Sequence, residues 1–155
     1  MKIVVAGEGA FGRKHLEALR NVENIEVVSL AGGVESATQD VARDFDIPHW
    51  SLDLAECLNQ PGVEAAILVT PTPLHAAQAM QVLDAGKHLF VEIPMADNIE
   101  DSRALAAKVE ATGLTAMVGH VRRFNPPHQW VHNKVVGGEL SIQQMDIQTF
   151  LFRRT

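Results

Sequence analysis

Short apolar runs alternate with segments of helical periodicity along most of this chain. In each intervening segment the apolar residues recur at the spacing of one helix face. This alternation is typical of βαβ units, whose parallel strands form one buried sheet. The fold class expected is therefore α/β, with a doubly wound parallel sheet. The predicted strands are residues 2–6, 25–31, 48–50, 64–70, 88–92 and 115–119.

The length of the chain limits it to one complete core. With 155 residues, of which 46% are hydrophobic, the chain has no room for a second complete domain. The lone cysteine, Cys57, cannot form an internal disulfide, which indicates a reducing compartment and hence the cytoplasm. The first apolar run is too short for a signal peptide, and no stretch approaches the ~20 apolar residues of a membrane span. We expect no association with a membrane.

Three glycines follow the first apolar run. Gly7, Gly9 and Gly12 in "VVAGEGAFGRKH" have G-x-G-x-x-G spacing between a predicted strand and a predicted helix. The first glycine permits a tight turn, the second lets backbone approach a pyrophosphate, and the third lets helix and strand pack closely. The helix N-terminus attracts the phosphate charge. The loop predicts a Rossmann fold with a dinucleotide bound by Gly7, Gly9, Ala10, Phe11 and Gly12.

The end of the second strand indicates which dinucleotide is bound. An acidic residue there binds the 2′-hydroxyl of NAD, whereas its absence suits the 2′-phosphate of NADP. Residues 31–33 contain no acid, although Glu35 lies close enough to oppose this interpretation. We therefore expect NADP, with NAD as the alternative. The candidate phosphate ligands are the backbone amides of Gly32 and Gly33 and the side chains of Arg13, Ser36 and Thr38.

Polar residues also follow the fourth and fifth strands. The sequence "VTPTPLH" places Thr70, Pro71, Thr72 and His75 at the carboxyl edge of the sheet, where ligands of such sheets bind. Glu92 ends the fifth strand at the same edge. We assign all five to the cofactor site. His75 is equally well explained as a polar residue on the first turn of a surface helix, and Glu92 as a solvated acid.

Four segments together resemble one protein family. They are "GEGAFGRKH" after the first strand, "TPTPLH" after the fourth, "EIP" after the fifth and "GHVRRFNP" after the sixth. In order and spacing they are similar to the glucose-fructose oxidoreductase and inositol dehydrogenase (Gfo/Idh/MocA) family, over essentially the whole chain. The resemblance implies an NAD(P)-dependent dehydrogenase that transfers a hydride to nicotinamide. It also implies that Glu92 binds the hydroxyls of the ribose next to the nicotinamide.

The sequence departs from this family at Ile93. The family has a lysine between the glutamate and the proline, and the resemblance implies that this lysine contacts substrate at the hydride centre. Ile93 can neither donate a hydrogen bond nor move a proton, so lysine-dependent sugar oxidation is not expected. A non-catalytic module that senses the dinucleotide is the alternative function. A methyltransferase is disfavoured, because its cofactor has no pyrophosphate for Gly9 to approach.

Basic residues are concentrated at the C-terminal end. Residues 1–119 carry 8 Lys and Arg against 17 Asp and Glu, whereas residues 120–155 carry 5 against 2. The acidic body argues against nucleic acid, whose phosphates require a broad basic face. Arg122 and Arg123 suit a small anionic substrate. His120 is the local candidate for the base that removes the hydroxyl proton.

Two histidines in the same region have a spacing found in zinc sites. His128 and His132 stand at positions i and i+4 of a predicted helix, in "HQWVH". The second position carries no glutamate and no third ligand is nearby, so no metal is expected.

The pattern changes to strand periodicity beyond Gly138. We divide the chain into a dinucleotide-binding domain at 1–120, a connecting helix at 121–138 and a strand at 139–155. In "LSIQQMDIQTFLFRR" the side chains alternate between two faces, which favours a strand. This strand has no obvious partner, so we expect it to begin an α+β substrate domain that the chain does not contain. The chain alone is expected to be inactive, and the full-length protein to be a homo-oligomer.

Overall fold

The computed structural model describes residues 1–146 and 148, and it contains a six-stranded parallel sheet. The strand order is β3-β2-β1-β4-β5-β6, and neighbouring strands are parallel. The winding direction changes between β1 and β4, which is where ligands of such sheets bind. The predicted Rossmann fold is confirmed. The strands are β1 (Lys2–Ala6), β2 (Glu26–Ala31), β3 (His49–Ser51), β4 (Val63–Leu68), β5 (His88–Glu92) and β6 (Ala116–Gly119).

Helices follow the strands throughout the described chain. A short 3-10 helix at Val121–Phe124, which periodicity did not predict, follows β6. No helix in residues 1–146 has both the length and the apolar character needed to cross a membrane. The α-helices are α1 (Ala10–Leu19), α2 (Glu35–Asp44), α3 (Leu54–Leu58), α4 (Thr72–Asp84), α5 (Ile99–Thr112) and α6 (Pro126–Val136).

Polar side chains fix where two of the helices begin. The Asn98 side chain accepts a hydrogen bond from the backbone N–H of Asp101 at 2.8 Å, which caps α5. Asp53 accepts a hydrogen bond from the backbone N–H of Ala55 at 2.8 Å and caps α3. At the other end of α5, Gly113 has φ 66°, the left-handed conformation that favours glycine at a helix C-terminus.

Two apolar clusters cover the two faces of the sheet. Val4 and Ala6 of β1 face the cluster formed with α3, α4 and α5, whereas Val5 faces the cluster formed with α1 and α2. This alternation follows from the two-residue period of a strand. Cys57 is buried in the first cluster, and burial raises the pKa of its thiol. Cys57 is therefore a core residue in its unreactive, protonated form.

A second compact unit begins at His120. It contains the 3-10 helix and α6. Residues 139–146 form no strand, contrary to the strand predicted over 139–155. Isolated strand backbone leaves its N–H and C=O groups unpaired, and alternating side chains alone cannot supply the partner strand that it needs. Residues 147 and 149–155 of the predicted strand lie outside the described residues.

Gly32 lies between β2 and α2, where the packing leaves no space for a side chain. A Cβ at Gly32 would lie 1.8 Å from Oγ1 and 2.7 Å from Cβ of Thr38. Thr38 is fully buried and donates its hydroxyl to the carbonyl oxygen of Val34 at 2.7 Å. Any side chain at position 32 would therefore displace α2 from the sheet.

We expect Gly32→Ala to lower the free energy of unfolding by about 1–3 kcal/mol, the usual cost of overpacking. Denaturant unfolding followed by circular dichroism measures this change. Gly9→Ala is the matched control, because a Cβ at Gly9 meets no atom within 4 Å. Equal stability of the two variants would contradict the packing role of Gly32.

Candidate dinucleotide-binding site

Two glycines of the loop after β1 are required by the packing of the fold. Gly7 has φ 121°, and a Cβ there would lie 2.6 Å from the carbonyl oxygen of Val69. A Cβ at Gly12 would lie 1.9 Å from the carbonyl oxygen of Gly7. The turn after β1 therefore touches both the end of β4 and the first turns of α1. The roles that the sequence assigned to these two glycines, tight turn and close packing, match this geometry.

Gly9 has a different environment, because its surroundings are open. A Cβ on Gly9 would meet no protein atom within 4 Å, and Gly9 itself is exposed. Gly9 is the N-cap of α1, where no side chain caps the helix and no acidic residue stands in the first turn. The backbone N–H groups of the first turn, which includes the exposed Ala10 and Phe11, are therefore available to an anion. This open glycine at an uncapped helix start fits the pyrophosphate of a dinucleotide.

The end of β2 differs from the sequence-based expectation. The backbone N–H groups of Gly33 and Val34 donate to Oε1 of Glu8, at 3.1 and 3.0 Å. The backbone N–H of Gly32 donates to the carbonyl oxygen of Ser51 at 3.0 Å. Glycine amides expected to be open to a phosphate thus already have partners within the chain. The contacts of Glu8 could not be predicted from the sequence, because they join residues 25 and 26 positions apart.

Side chains proposed as phosphate ligands are engaged as well. The Arg13 guanidinium donates to Oδ2 of Asp44 at 2.9 Å and lies over the ring of Phe45. This hydrogen bond from Arg13 is the main reason why the pKa of the Asp44 carboxyl lies below its usual value. Thr38 is buried with its hydroxyl on Val34. The phosphate cradle expected at this position is therefore not formed by these groups.

His75 is not a surface residue, so that interpretation is wrong, whereas its assignment to the cofactor site stays a prediction. The side chain is 1% exposed. Its Nδ1 lies 2.7 Å from the carbonyl oxygen of Pro94, and its Nε2 lies 2.7 Å from the carbonyl oxygen of Thr70. Both partners can only accept, so a neutral ring donates to one of them at a time. His75 joins the loop after β4 to the loop after β5, at the cis Ile93–Pro94 peptide bond.

Thr70, Pro71 and Thr72 follow β4 at the carboxyl edge of the sheet, as the sequence predicted. Thr70 donates its hydroxyl to the side-chain carbonyl of Gln78 at 2.5 Å. Pro71 is the N-cap of α4 and is exposed, and Thr72 is the first residue of the helix. The loop therefore runs along the carboxyl edge of the sheet. The cofactor contacts assigned to these three residues stay predictions.

Glu92 is buried at the end of β5 and has two partners in the chain. Its Oε1 lies 2.9 Å from Nε2 of His15, and its Oε2 accepts from the backbone N–H of Ile93 at 3.2 Å. The carboxyl carbon also lies close to Gly119, where a Cβ would be 2.8 Å away. Glu92 is 6% exposed, so the alternative of a solvated surface acid is wrong.

His15 and Gly119 were not identified as site residues from the sequence. His15 lies between the rings of Phe11 and Phe90, with ring centroids 5.4 and 5.6 Å away. His15 could have been found from its position four residues after Phe11, because this spacing puts both side chains on one face of α1. Position 119 requires glycine because of the Glu92 carboxylate on the neighbouring strand. The sequence around Gly119 gives no indication of this contact.

The residues assigned to substrate and proton transfer belong to the second unit. His120 is exposed and immediately precedes the 3-10 helix, which carries Arg122 and Arg123. Both arginines line a groove of about 600 Å³ that His128 and His132 also line. Within the described residues, no group of three or more His, Cys, Asp or Glu side chains could hold a metal ion. The roles of these residues stay predictions.

Comparison with known proteins identifies the family of the chain. The sequence profile of the Gfo/Idh/MocA oxidoreductase family, described as having an NAD-binding Rossmann fold, matches residues 1–120. The chain belongs to the Gfo/Idh/MocA family. A second profile, that of the C-terminal region of bacterial oxidoreductases, matches residues 126–155. The family resemblance carried by the four sequence segments is confirmed.

Two relatives of the chain are dehydrogenases of different substrates. The chain is 51% identical over 154 residues to 4-carboxy-2-hydroxymuconate-6-semialdehyde dehydrogenase of Sphingobium sp. (strain NBRC 103272 / SYK-6), covering 99% of this chain and 49% of that protein. It is 33% identical over 141 residues to scyllo-inositol 2-dehydrogenase (NAD(+)) of Bacillus subtilis (strain 168), covering 90% and 41%. The chain thus spans about half or less of the length of these relatives.

Solved structures show the same fold. Scyllo-inositol dehydrogenase from Lactobacillus casei, with bound NAD(H) and scyllo-inositol, matches with a TM-score of 0.84 and 21% identity, over 90% of this chain and 42% of that chain. Myo-inositol 2-dehydrogenase from Lactobacillus plantarum matches with a TM-score of 0.84 and 17% identity, over 90% and 42%. At these identities the matches support the architecture alone.

We expect Gly9→Val to abolish dinucleotide binding without unfolding the protein. The valine side chain would fill the open space over the first turn of α1, where a Cβ meets no protein atom within 4 Å. Isothermal titration calorimetry with NAD and NADP measures binding, and circular dichroism checks the fold. Unchanged affinity in a folded Gly9→Val variant would refute the assignment of the glycine loop.

Proposed function

We propose that the chain is the dinucleotide-binding part of a dehydrogenase that oxidises the cyclic hemiacetal of 4-carboxy-2-hydroxymuconate-6-semialdehyde to 2-pyrone-4,6-dicarboxylate. The observation that carries dinucleotide binding is the open Gly9 at the uncapped start of α1, and membership of the oxidoreductase family supports the dehydrogenase part. The substrate is proposed from the 51% identity to the dehydrogenase of that name. When bound, the nicotinamide accepts a hydride from the hemiacetal carbon.

Glu92 is proposed to hold the ribose next to the nicotinamide. A carboxylate can accept hydrogen bonds from two neighbouring hydroxyls. His15 and the backbone N–H of Ile93 restrict the orientation of Glu92. A ligand group with a fixed orientation loses less conformational entropy on binding than a mobile one. His15 therefore acts as a positioning residue for Glu92.

Arg122 and Arg123 are proposed to bind the carboxylates of an anionic substrate. Guanidinium groups suit carboxylates because they offer two parallel N–H donors. The groove that both arginines line supports this role. His120 is proposed as the base that takes the hydroxyl proton of the hemiacetal as the hydride leaves. The rest of the substrate site is proposed to lie in a second domain of the full-length protein, a homo-oligomer of the cytoplasm.

Two other functions stay open. A dehydrogenase of another substrate in the same family would use the same dinucleotide site, and the inositol dehydrogenase among the relatives illustrates this. A non-catalytic sensor of the dinucleotide is favoured by Ile93, whose exposed apolar side chain cannot move a proton. The sensor predicts binding without turnover.

In the full-length protein, we expect Arg122→Ala or Arg123→Ala to raise KM for a dicarboxylate substrate by one to two decades. The loss of a charge-assisted hydrogen bond, about 1.5–3 kcal/mol, sets this magnitude. Cofactor reduction in the presence of the semialdehyde measures it, and the affinity for the cofactor should not change. The 155-residue chain should show no turnover in the same assay. Absence of turnover in the full-length protein as well would favour the sensor or another substrate.

We expect His15→Phe to weaken binding of NADH several-fold while leaving the affinity for ADP unchanged. Phenylalanine keeps the ring contacts with Phe11 and Phe90 but removes the hydrogen bond to Glu92, worth about 1 kcal/mol. ADP lacks the second ribose and therefore does not reach Glu92. Calorimetric titration with both ligands separates the two effects. An equal loss for ADP and NADH would contradict a role of His15 through Glu92.

A further inference from the structure

Glu8 occupies the end of β2, although it belongs to the loop after β1. It is the residue between the first two glycines of the loop, and it is partly buried. Its Oε1 accepts both amide hydrogens of the loop that leads into α2, from Gly33 and Val34. The Cβ position of Gly33 is only 3.6 Å from the same oxygen. A negative charge from within the chain thus lies on the amides that an anionic ligand would otherwise use.

The position of this carboxylate matters because of the strand order. β2 and β1 are neighbours in the parallel sheet, so their carboxyl ends lie at the same edge. In Rossmann folds the adenosine ribose reaches the end of β2, where an acidic residue recognises the 2′-hydroxyl of NAD and a basic residue the 2′-phosphate of NADP. Residues 31–33 at the end of β2 carry no acid. Glu8 brings an acid to this position from the neighbouring strand.

The arginines of α1 and α2 already have acidic partners. Arg13 is paired with Asp44. Arg43 also lies next to acidic partners, Asp40 and Asp44. The nearest part of α2 begins with a further acid, Glu35, in its first turn. A phosphate with nearly two negative charges would meet the Glu8 carboxylate without a compensating cation from these residues.

We propose that Glu8 selects NAD over NADP. Oε1 is held by the two amides, and Oε2 accepts a hydrogen bond from the 2′-hydroxyl of the adenosine ribose. A 2′-phosphate is excluded because it is repelled by the carboxylate and cannot take the amides that the carboxylate occupies. This inference rests on the dinucleotide binding proposed above and reverses the preference for NADP that the composition of the β2 end indicated. The reversal follows from a contact that the sequence does not reveal.

The test is a calorimetric titration of the chain and three variants with NAD and with NADP. The unmodified chain should bind NAD at least tenfold more tightly, a difference of about 1.4 kcal/mol. Glu8→Ala removes the charge and frees both amides, so the ratio of the two dissociation constants should shift at least tenfold toward NADP. Glu8→Gln keeps an acceptor for the amides and removes only the charge, so its ratio should lie between the other two. Glu26→Ala, which removes an exposed acid at the opposite end of β2, should leave the ratio unchanged.

The ratio separates selection from a purely structural role. If Glu8 only ties the glycine loop to α2, Glu8→Ala would weaken both cofactors by the same factor, and the proposal would be overturned. A preference of the unmodified chain for NADP would overturn it as well, while leaving the dehydrogenase assignment intact. Failure of the unmodified chain to bind either dinucleotide would reject the proposed function and, with it, this inference.

Discussion

The close approach of α1 to the turn after β1 is the contact on which the carboxyl edge of the sheet depends. A Cβ at Gly12 would lie 1.9 Å from the carbonyl oxygen of Gly7, so α1 could not start where it does with any larger residue there. Gly7 in turn lies against the backbone of Val69, which couples the turn to the end of β4. This packing directs the uncapped first turn of α1 to the point where the winding of the sheet reverses. It also brings His15 on α1 within hydrogen-bonding distance of Glu92.

Single polar side chains then connect neighbouring loops along this edge. Glu8 joins the turn after β1 to the start of α2, His75 joins the loops after β4 and β5, and His15 joins α1 to the end of β5. His75 and Glu92 are buried, where an unpaired polar atom would cost about 1–3 kcal/mol, whereas the hydrogen bonds of Glu8 are exposed. Among the described residues, every buried side-chain nitrogen and oxygen atom has a partner. The loops are therefore held in place before a ligand arrives, which reduces the entropy lost on binding.

The sequence predicted the elements of the fold well, because each depends on local composition. Buried parallel strands are nearly continuous apolar runs, and "KIVVA" and "HLFVE" coincide with β1 and β5. The glycine spacing identified the turn for the same reason. The sequence could not reveal which polar groups pair with each other across the edge. Glu8 and Gly33 are 25 positions apart, and His75 and Pro94 are 19 positions apart, so only the folded chain brings them together. Gly32 has a packing reason that the sequence did not reveal, because a Cβ there would meet the side chain of Thr38.

The placement of charge explains how so acidic a unit can suit an anionic dinucleotide. The negative charge of NAD is confined to the pyrophosphate, and the two riboses on either side of it carry hydroxyl donors. In the chain, the positive end of α1 consists of backbone N–H groups, without an acidic residue in the first turn. Glu8 extends from the end of β1 toward β2. Glu92 ends β5, which lies on the opposite side of β1 in the sheet. In the proposed binding mode, these two carboxylates are acceptors on either side of the helix start, whose backbone N–H groups bind the pyrophosphate without a lysine or arginine. In the role proposed for Glu8, its carboxylate would repel a further phosphate on the adenosine ribose.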